Sequence, residues 1–401
     1  MARRLSLLLT FALLVLLPVL GGCAAPNVTA SGSVAADGRV FFAPPKYAGQ
    51  DRGDAVSLVA EPQLEAKTED AEHTLTLRPF YRLDPADEKR SHADVRQASY
   101  HLSLEHFEAG AGAGVFTWGV LESYRPTDVM NQTDFVEAVD GNAKLGQPYA
   151  ELGWIGESTA FRLYYLPYFR ERTFQGVRGR PRFPSVIDTD NPLFATKNRQ
   201  WEPSAAGRFT WNAGDLDLGV GLFTGLGREP AFVAELTTGQ IAPRYDRIHQ
   251  ASVDAQYTLG AFTFKAEGFF RLWSNRLRGF GGGGAGVDYT LFKLFAEADL
   301  SFAAEYLMDT RPRDAPITFF DHDAFGGVRL AINDTASTEL VAGAIVDVLD
   351  GSMFARAQAS RRIGEHWRVS FGTNVFLGPS GKLEGSFRRD NYAQGRLAYF
   401  F

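Results

Sequence analysis

Apolar and polar residues alternate along most of this chain, from about residue 72 to the C-terminus. In the segment 261–273, for example, Phe262 and Phe264 fall on one face, whereas Lys265 and Glu267 fall on the other. A period of two residues is typical of β-strands, and no long stretch shows the period of an amphipathic helix. The pattern therefore predicts an all-β protein built from strands of about ten residues.

The breaks between these segments alternate in length. Short breaks that predict tight turns lie at 109–114, 156–158, 213–214, 260, 333–336 and 364–365. Longer, polar, Pro-rich breaks lie at 84–95, 124–145, 170–202, 227–247, 309–321 and 377–392. This alternation predicts a transmembrane up-and-down antiparallel β-barrel of about 16 strands over residues 72–401, with both termini at the short-turn edge.

Charge on the polar face separates a membrane barrel from a soluble sandwich, which would bury its apolar face and expose its polar one. Charges of both signs are expected to face the lumen: Arg78, Glu105, Arg162, Arg208, Asp254, Lys265, Glu267, Arg271, Arg329, Arg356 and Arg368. Aromatic residues near strand ends are expected to form girdles at the lipid interfaces: Trp118, Tyr165, Trp211, Tyr257, Tyr289, Tyr306 and Tyr399. Side chains alone cannot fill such a wide ring, so we expect a channel narrowed by loops, or a plugged lumen.

Residues 1–23 have the pattern of a secretory signal. Arg3 and Arg4 precede an apolar stretch from Leu5 to Leu20. The following Gly-Gly-Cys resembles the bacterial lipobox, which would make Cys23 a lipidation site. The alternative is ordinary cleavage just after this position, with Cys23 discarded. Residues 24–71 show no periodicity and are interpreted as a periplasmic linker.

The C-terminal segment gives a second indication of a membrane barrel. Phe401 ends a strand-like segment, which resembles the terminal signal of Gram-negative outer-membrane proteins. The resemblance implies recognition by the barrel-assembly machinery and a location in the outer membrane, with periplasmic termini. The alternative is the buried last strand of a soluble sandwich. The expected partners are outer-membrane lipid, the assembly machinery and small solutes.

Composition and motifs exclude several functions. The net charge of −6 argues against nucleic-acid binding, and a single Cys excludes a disulfide framework. The seven His are scattered, and no hydrolase or metalloprotease motif is present, so no catalytic residue, metal or cofactor is expected. The glycine run 281–284 is interpreted as a loop leading into a strand. A cluster of Asp309, Asp314, Asp321 and Asp323 is interpreted as solvated loop acids, with a Ca²⁺ site as the alternative.

Two loops carry the most specific sequence. One contains Trp118-Gly119-Val120-Leu121-Glu122, Asn131-Gln132-Thr133-Asp134 and Lys144-Leu145-Gly146-Gln147-Pro148, and the other follows Leu166-Pro167-Tyr168-Phe169-Arg170. These stretches resemble those of a group of uncharacterised proteobacterial outer-membrane proteins with porin-like barrels. The Trp-Gly-x-x-Glu element also resembles one found in large barrels of unknown function. The resemblance implies a barrel but no substrate.

Charge in the same loops suggests a constriction. Residues 170–202 carry seven basic side chains against four acidic ones, whereas 124–145 carry two against four. Opposite charge favours folding the loops together into the mouth of the barrel, so the candidate selectivity residues are Arg170, Arg172, Arg178, Asp128, Asp134 and Glu137. The predicted function is passive passage of small polar or anionic solutes. The alternatives are a plugged or closed barrel lipoprotein with a structural or assembly role, and an outer-membrane hydrolase. A hydrolase would need Ser and His close together on the outer wall, and the sequence offers no convincing candidate for such a pair.

Overall fold

The computed structural model describes residues 26–234, 241–274, 278–295, 297–318, 320–379 and 381–401. The predicted signal and Cys23 lie outside the described residues. In the described part of the chain, eighteen antiparallel strands form one closed sheet, and three short strands form a second sheet. The prediction of an all-β up-and-down barrel is therefore confirmed, and the predicted strand number of about 16 is close.

Strands are numbered here in chain order. The barrel consists of β1 (Asn27–Phe41), β2 (Ala55–Lys67), β3 (His73–Leu83), β4 (His92–Ser103), β5 (Phe107–Gly114), β6 (Gln147–Ile155), β7 (Thr159–Leu166), β9 (Ser204–Ala213), β10 (Leu216–Leu226), β13 (Arg247–Leu259), β14 (Phe262–Trp273), β15 (Gly279–Phe295), β16 (Ala298–Asp309), β17 (His322–Ala331), β18 (Glu339–Asp347), β19 (Met353–Ile363), β20 (Trp367–Leu377) and β21 (Tyr392–Phe400). The second sheet contains β8 (Leu193–Phe194), β11 (Ala231–Ala234) and β12 (Ile241–Tyr245), and a short helix α1 spans Leu383–Phe387. Among the described residues, no helix is long and apolar enough to cross a bilayer.

The barrel closes where its first strand meets its last. β1 pairs with β21 from Ser33↔Phe400 to Phe41↔Tyr392, and the backbones of Gly32 and Phe401 exchange two hydrogen bonds of 3.1 Å beyond that register. Because the number of described barrel strands is even, the N-terminal end of β1 and the C-terminal end of β21 lie at the same edge of the barrel, which is also the edge of the short turns. The opposite edge carries the long connections, and we call these the short-turn edge and the long-loop edge.

Three sequence interpretations were wrong. Residues 24–71 are not simply a linker, because they contain β1 and β2, which account for the two additional strands. Their alternation was missed because small residues separate the outward valines of β1, which weakens the contrast between faces. The predicted turn at 109–114 lies inside β5, and the glycine run 281–284 lies inside β15.

The two faces of the wall have the polarity that lipid requires. On β14, the outward side chains Phe262 and Phe270 are 43% and 54% exposed, whereas the inward Lys265 and Glu267 are 7% and 5% exposed. Burying charges inward while exposing rings outward would be unfavourable in water, but it suits a wall surrounded by hydrocarbon. The inward charges then need partners inside the barrel.

Those partners come from two connections at the long-loop edge. Residues 115–146, between β5 and β6, are called the plug loop, and residues 167–203, between β7 and β9, are called the cap loop. Met130 and Phe135 of the plug loop are at most 1% exposed. Met130 belongs to a cluster with wall residues, and Phe135 belongs to one with wall and cap-loop residues. The lumen therefore contains a packed interior of its own.

Candidate functional site: the plugged lumen

The Trp-Gly-x-x-Glu element is where the plug loop enters the lumen. The Trp118 ring lies 5.3 Å from the Arg208 guanidinium of β9, and the Val120 N–H donates to Glu267 Oε2 of β14 at 2.6 Å. Gly119 has φ of +96°, and a Cβ there would lie 2.3 Å from the same carboxylate oxygen. Only glycine allows this close approach to Glu267.

The next residues fix the plug loop to strands further around the wall. Glu305 of β16 accepts hydrogen bonds from the backbone N–H groups of Glu122 and Ser123 at 2.7 and 3.0 Å, and from the Ser123 hydroxyl. The Glu122 carboxylate accepts a hydrogen bond of 2.6 Å from Lys265 Nζ. Leu121, fully buried, packs against Gly284, where a Cβ would lie 2.7 Å from its Cδ1. The glycines of β15 therefore make room for the plug.

The second half of the plug loop is anchored on other strands of the wall, two of which lie across the lumen. Arg96 of β4 donates to Asp134 at 2.6 Å, and Arg82 of β3 donates to Glu137 at 2.7 and 3.0 Å. Arg356 of β19 donates to Asp140 at 3.0 Å. The loop thus spans the lumen from β14 and β16 to β3, β4 and β19.

Two plug carboxyls have pKa values that are shifted by burial and by their neighbours. Burial opposes ionisation of Asp134, but hydrogen bonds from His92, Arg96 and Thr173 outweigh it and hold its pKa well below the usual range. Burial raises the pKa of Asp128, although Lys144, 3.4 Å away, acts in the opposite direction. Neither group is a freely solvated pore charge.

The cap-loop arginines are also engaged. Arg170 donates to Asp94 of β4 at 2.6 Å and to the Gly146 carbonyl at 2.8 Å. Arg172 donates to Gln132 Oε1 at 3.3 Å and to the Arg228 carbonyl at 3.1 Å. The structure thus brings Arg170, Arg172, Asp134 and Glu137 into one packed assembly of plug, cap and wall rather than into a ring of facing pore charges.

Arg178 does not belong to that assembly. Its side chain is 59% exposed and pairs at 2.8 Å with Asp51 in the connection between β1 and β2. Its assignment as a constriction residue was wrong, because this part of the cap loop lies over the outer end of the barrel and faces solvent.

Most of the predicted lumen charges take part in ion pairs inside the barrel. The pairs are Arg208–Asp254, Arg162–Glu108, Arg271–Glu229, Arg329–Glu339, Arg356–Asp140, Lys265–Asp288 and Arg78–Glu61. Arg368 lies on β20 at an inward position of the alternation, two residues before Ser370. Glu105 was wrongly assigned, since it lies in the turn after β4 with a side chain that is 90% exposed. Trp118 was wrongly assigned to the outer girdle, since it is 4% exposed inside the barrel.

The space left beside the plug loop forms cavities of different charge. A cavity of about 620 Å³ lies against the wall from β14 to β20 and is lined by six carboxylates and two arginines. A second cavity, of about 230 Å³, lies against β1, β3 and β19 to β21 and is lined by five arginines and three carboxylates. Both are bordered by the Asp140–Arg356 pair. We call them the acidic cavity and the basic cavity.

Sequence reasoning missed several of the residues that organise this site. Glu305, Arg82 and Arg96 were not singled out, although alternation along β16, β3 and β4 could have placed them on the inner face. Their partners are more than 35 positions away in sequence, so no local pattern could have supplied the pairing.

The outer wall holds an arrangement that the sequence did not reveal. Ser274 Oγ lies 2.9 Å from His249 Nε2, and Thr224 Oγ1 lies 2.9 Å from His249 Nδ1. His249 shares the exposed face of β13 with Val253, so the three groups lie on the outer surface near the long-loop edge.

The aspartates of the connection after β16 do not gather around one point. Asp309 pairs with Arg311 at 2.7 Å, whereas Asp321 lies 3.7 Å from Lys382. Within the described ranges, no group of three or more His, Cys, Asp or Glu is placed to hold a metal ion.

Comparisons with known proteins support the fold. The structure is similar to Wzi of Escherichia coli, described as an outer-membrane protein involved in group 1 capsule assembly and a carbohydrate-binding β-barrel, with a TM-score of 0.52, 11% identity and coverage of 91% of this chain and 83% of that one. It also matches OmpT of Vibrio cholerae (TM-score 0.48, 12% identity, 94% and 100% covered) and a mutant porin of Rh. blastica (0.45, 10%, 94% and 100%). No protein-family model and no curated protein matches the sequence. The chain therefore has the fold of outer-membrane β-barrels.

Proposed function

We propose that this protein is an outer-membrane β-barrel whose lumen is closed by the plug loop, and that it acts as a binding or structural barrel rather than as an open channel. The predicted passive porin is thereby replaced by the first of its alternatives. In the outer-membrane convention, the short-turn edge faces the periplasm and the long-loop edge faces outward.

The observation that carries the proposal is the anchoring of the plug loop on both sides of the lumen. Glu267 and Glu305 hold one half of the loop, and Arg82, Arg96 and Arg356 hold the other. Hydrogen bonds to charged groups contribute about 1.5–3 kcal/mol each, so several in parallel favour a loop that remains in place. In a general diffusion pore, by contrast, the fixed charges must leave a continuous wet path.

Conductance in planar bilayers tests this proposal. Gly114 and Gln147 are paired residues of β5 and β6, so the plug loop can be removed by joining them with an Asn-Gly turn. We expect the full chain to give few or no open events, and the deletion variant to give stable, large conductance.

Correct assembly is checked by heat-modifiable migration on gels before each recording. A matched pair of variants separates anchoring from general damage: Glu267→Gln with Glu305→Gln should increase opening, whereas Glu297→Gln with Glu365→Gln, at exposed short turns, should not. Steady, high conductance of the intact protein would contradict the closed-barrel proposal and restore the porin.

The outer-wall groups support a second candidate, hydrolysis of a lipid ester at the membrane surface. In this arrangement Ser274 Oγ would attack the ester carbonyl and form an acyl-enzyme, while His249 Nε2 takes its proton and returns it to the leaving alcohol. Water would then release the acyl group and regenerate Ser274. With the ring proton on Nδ1, His249 would donate to Thr224 Oγ1, 2.9 Å away, and Nε2 would be free to act as the base.

A fluorophosphonate probe tests the second candidate. We expect labelling that is lost in Ser274→Ala and in His249→Ala but retained in Ser301→Ala, whose hydroxyl faces the lumen at 2.9 Å from Thr290. If none of these proteins is labelled although the barrel is correctly folded, the hydrolase candidate is wrong. The Ser-His contact is then only a hydrogen bond between two polar groups at the membrane interface.

A further inference from the structure

The acidic cavity has the size and composition of a ligand site. Its volume of about 620 Å³ falls within the roughly 300–1,000 Å³ range of small-molecule sites. Its six carboxylates face only two arginines, so its lining carries a formal charge of −4.

Four of the six carboxylates are paired within the protein. Glu122 and Asp288 both contact Lys265 Nζ, at 2.6 and 2.5 Å. Glu339 pairs with Arg329, and Asp140 pairs with Arg356. These groups belong to the scaffold of the barrel and leave little charge for a ligand.

The other two carboxylates, Asp323 and Glu384, have no such partner. They are 3% and 9% exposed, and no described cationic side chain lies within ion-pair distance of either. The neighbouring Lys382 is occupied by Asp347 at 2.9 Å and Asp350 at 2.7 Å. A buried carboxylate without a counter-charge is costly, and bringing a cation to it would be favourable.

Glu384 has a pKa that is shifted in the direction that this cost predicts. It lies in α1, outside the barrel strands, and burial raises its pKa, with Asp350 and Asp347 adding to the effect against Lys382. Asp323 lines the same cavity, so two buried carboxyl groups face one enclosed space. One bound positive charge would offset the cost of burying both carboxylates.

The same cavity is lined by aromatic rings. Phe320, Phe325, Phe354 and Phe376 all border it, and the last two stack with centroids 5.0 Å apart. Ring faces attract organic cations and accommodate their apolar carbon. They offer nothing to a hard metal ion, which needs converging oxygen ligands, and no such convergent group is found among the described residues.

We propose that the acidic cavity binds an organic cation, with its ammonium group between Asp323 and Glu384 and its apolar body against the phenylalanine rings. This preference for a cation is opposite to the anion preference expected from the loop sequences. The loop arginines already have hydrogen-bond partners within the protein, whereas these two carboxylates have no ion-pair partner.

Binding of 2-phenylethylamine to the purified full-length protein in detergent tests the proposal, with 2-phenylethanol and 3-phenylpropanoate as neutral and anionic counterparts. By isothermal titration we expect saturable binding of the amine and at least about tenfold weaker binding of the other two compounds, since charge-assisted hydrogen bonds distinguish them. The double variant Asp323→Asn, Glu384→Gln should lose about tenfold or more in affinity, while Glu365→Gln, at an exposed turn, should be unchanged.

Equal binding of the alcohol and the amine, or no saturable binding of the amine, would overturn the proposal. Saturable binding of CaCl₂ that the double variant abolishes and that displaces the amine would replace it with a metal site. If the double variant fails to assemble, the relative affinities of the three compounds for the natural protein still test the proposal. Because binding is measured without a bilayer, this proposal and the closed-barrel proposal can fail separately.

Discussion

Replacement of Glu305 should release the plug loop. This side chain is 5% exposed and accepts the backbone N–H groups of Glu122 and Ser123 at 2.7 and 3.0 Å, together with the Ser123 hydroxyl. Each hydrogen bond to a charged group is worth about 1.5–3 kcal/mol, so the two backbone bonds alone give about 3–6 kcal/mol. Water entering the space left by Glu305→Ala recovers part of this, so about 3 kcal/mol is a suitable expectation.

An energy of about 3 kcal/mol corresponds to a roughly 100-fold increase in the equilibrium population of the released loop. The assay is single-channel recording in planar bilayers, where open probability should rise by about that factor in Glu305→Ala. Glu339→Ala is the matched control, because Glu339 also lines the lumen but pairs with Arg329 on the neighbouring strand. Unchanged open probability in Glu305→Ala, while the plug deletion conducts, would refute the view that these bonds hold the loop.

Three further predictions concern the seam, the N-terminus and the response to pH. Deletion of Phe401 should reduce the yield of heat-modifiable barrel, because it removes two backbone hydrogen bonds of 3.1 Å with Gly32; a normal yield would show that these bonds are dispensable. Cys23→Ala should abolish labelling by a fatty-acid probe without preventing insertion, whereas a mature N-terminus beyond Cys23 by mass spectrometry would rule out lipidation. Burial opposes ionisation of Glu229, but Arg311 and Arg271 lower its pKa from 4.5 to about 2, so its contribution is present above pH 4.5 and is lost as the pH falls toward 2. The melting temperature should therefore fall less between pH 5 and 2.5 in Glu229→Gln than in the natural protein, and equal falls would contradict this assignment.

The wall of the barrel could be predicted from the sequence because its determinants are local. In β14, outward Phe264 and inward Lys265 are adjacent in the chain, and a strand must place adjacent side chains on opposite faces. The turns at Gly260 and Gly364 are likewise locally determined, because both residues have a positive φ that glycine adopts readily. β1 and β2 were missed because small residues weaken this local contrast, although the backbone hydrogen bonds do not depend on it.

The candidate site could be predicted only in part. The Trp118–Glu122 element and the charged loops were predicted to be important. The structure places the element and the buried part of the plug loop inside the lumen, whereas part of the cap loop faces solvent. Arg170 and Arg172 were expected to select anions in a constriction, but the geometry does not support this role. Asp94 and the carbonyls of Gly146 and Arg228 already accept their hydrogen bonds. Whether a charged side chain faces a solute or forms an ion pair depends on a second residue, and the local sequence does not show which residue that is.

The sequence by itself determined the strand period, the alternation of short and long connections and the polarity of the two faces, since each depends on neighbouring residues. Only the tertiary structure decided that Glu305 holds the plug loop, that Arg178 faces solvent and that Asp323 and Glu384 line one cavity without an ion-pair partner. These outcomes depend on strands far apart in the chain meeting across the lumen. Closure of the ring fixes that meeting, because every strand pairs with a neighbour on both sides and so has a set position around the lumen.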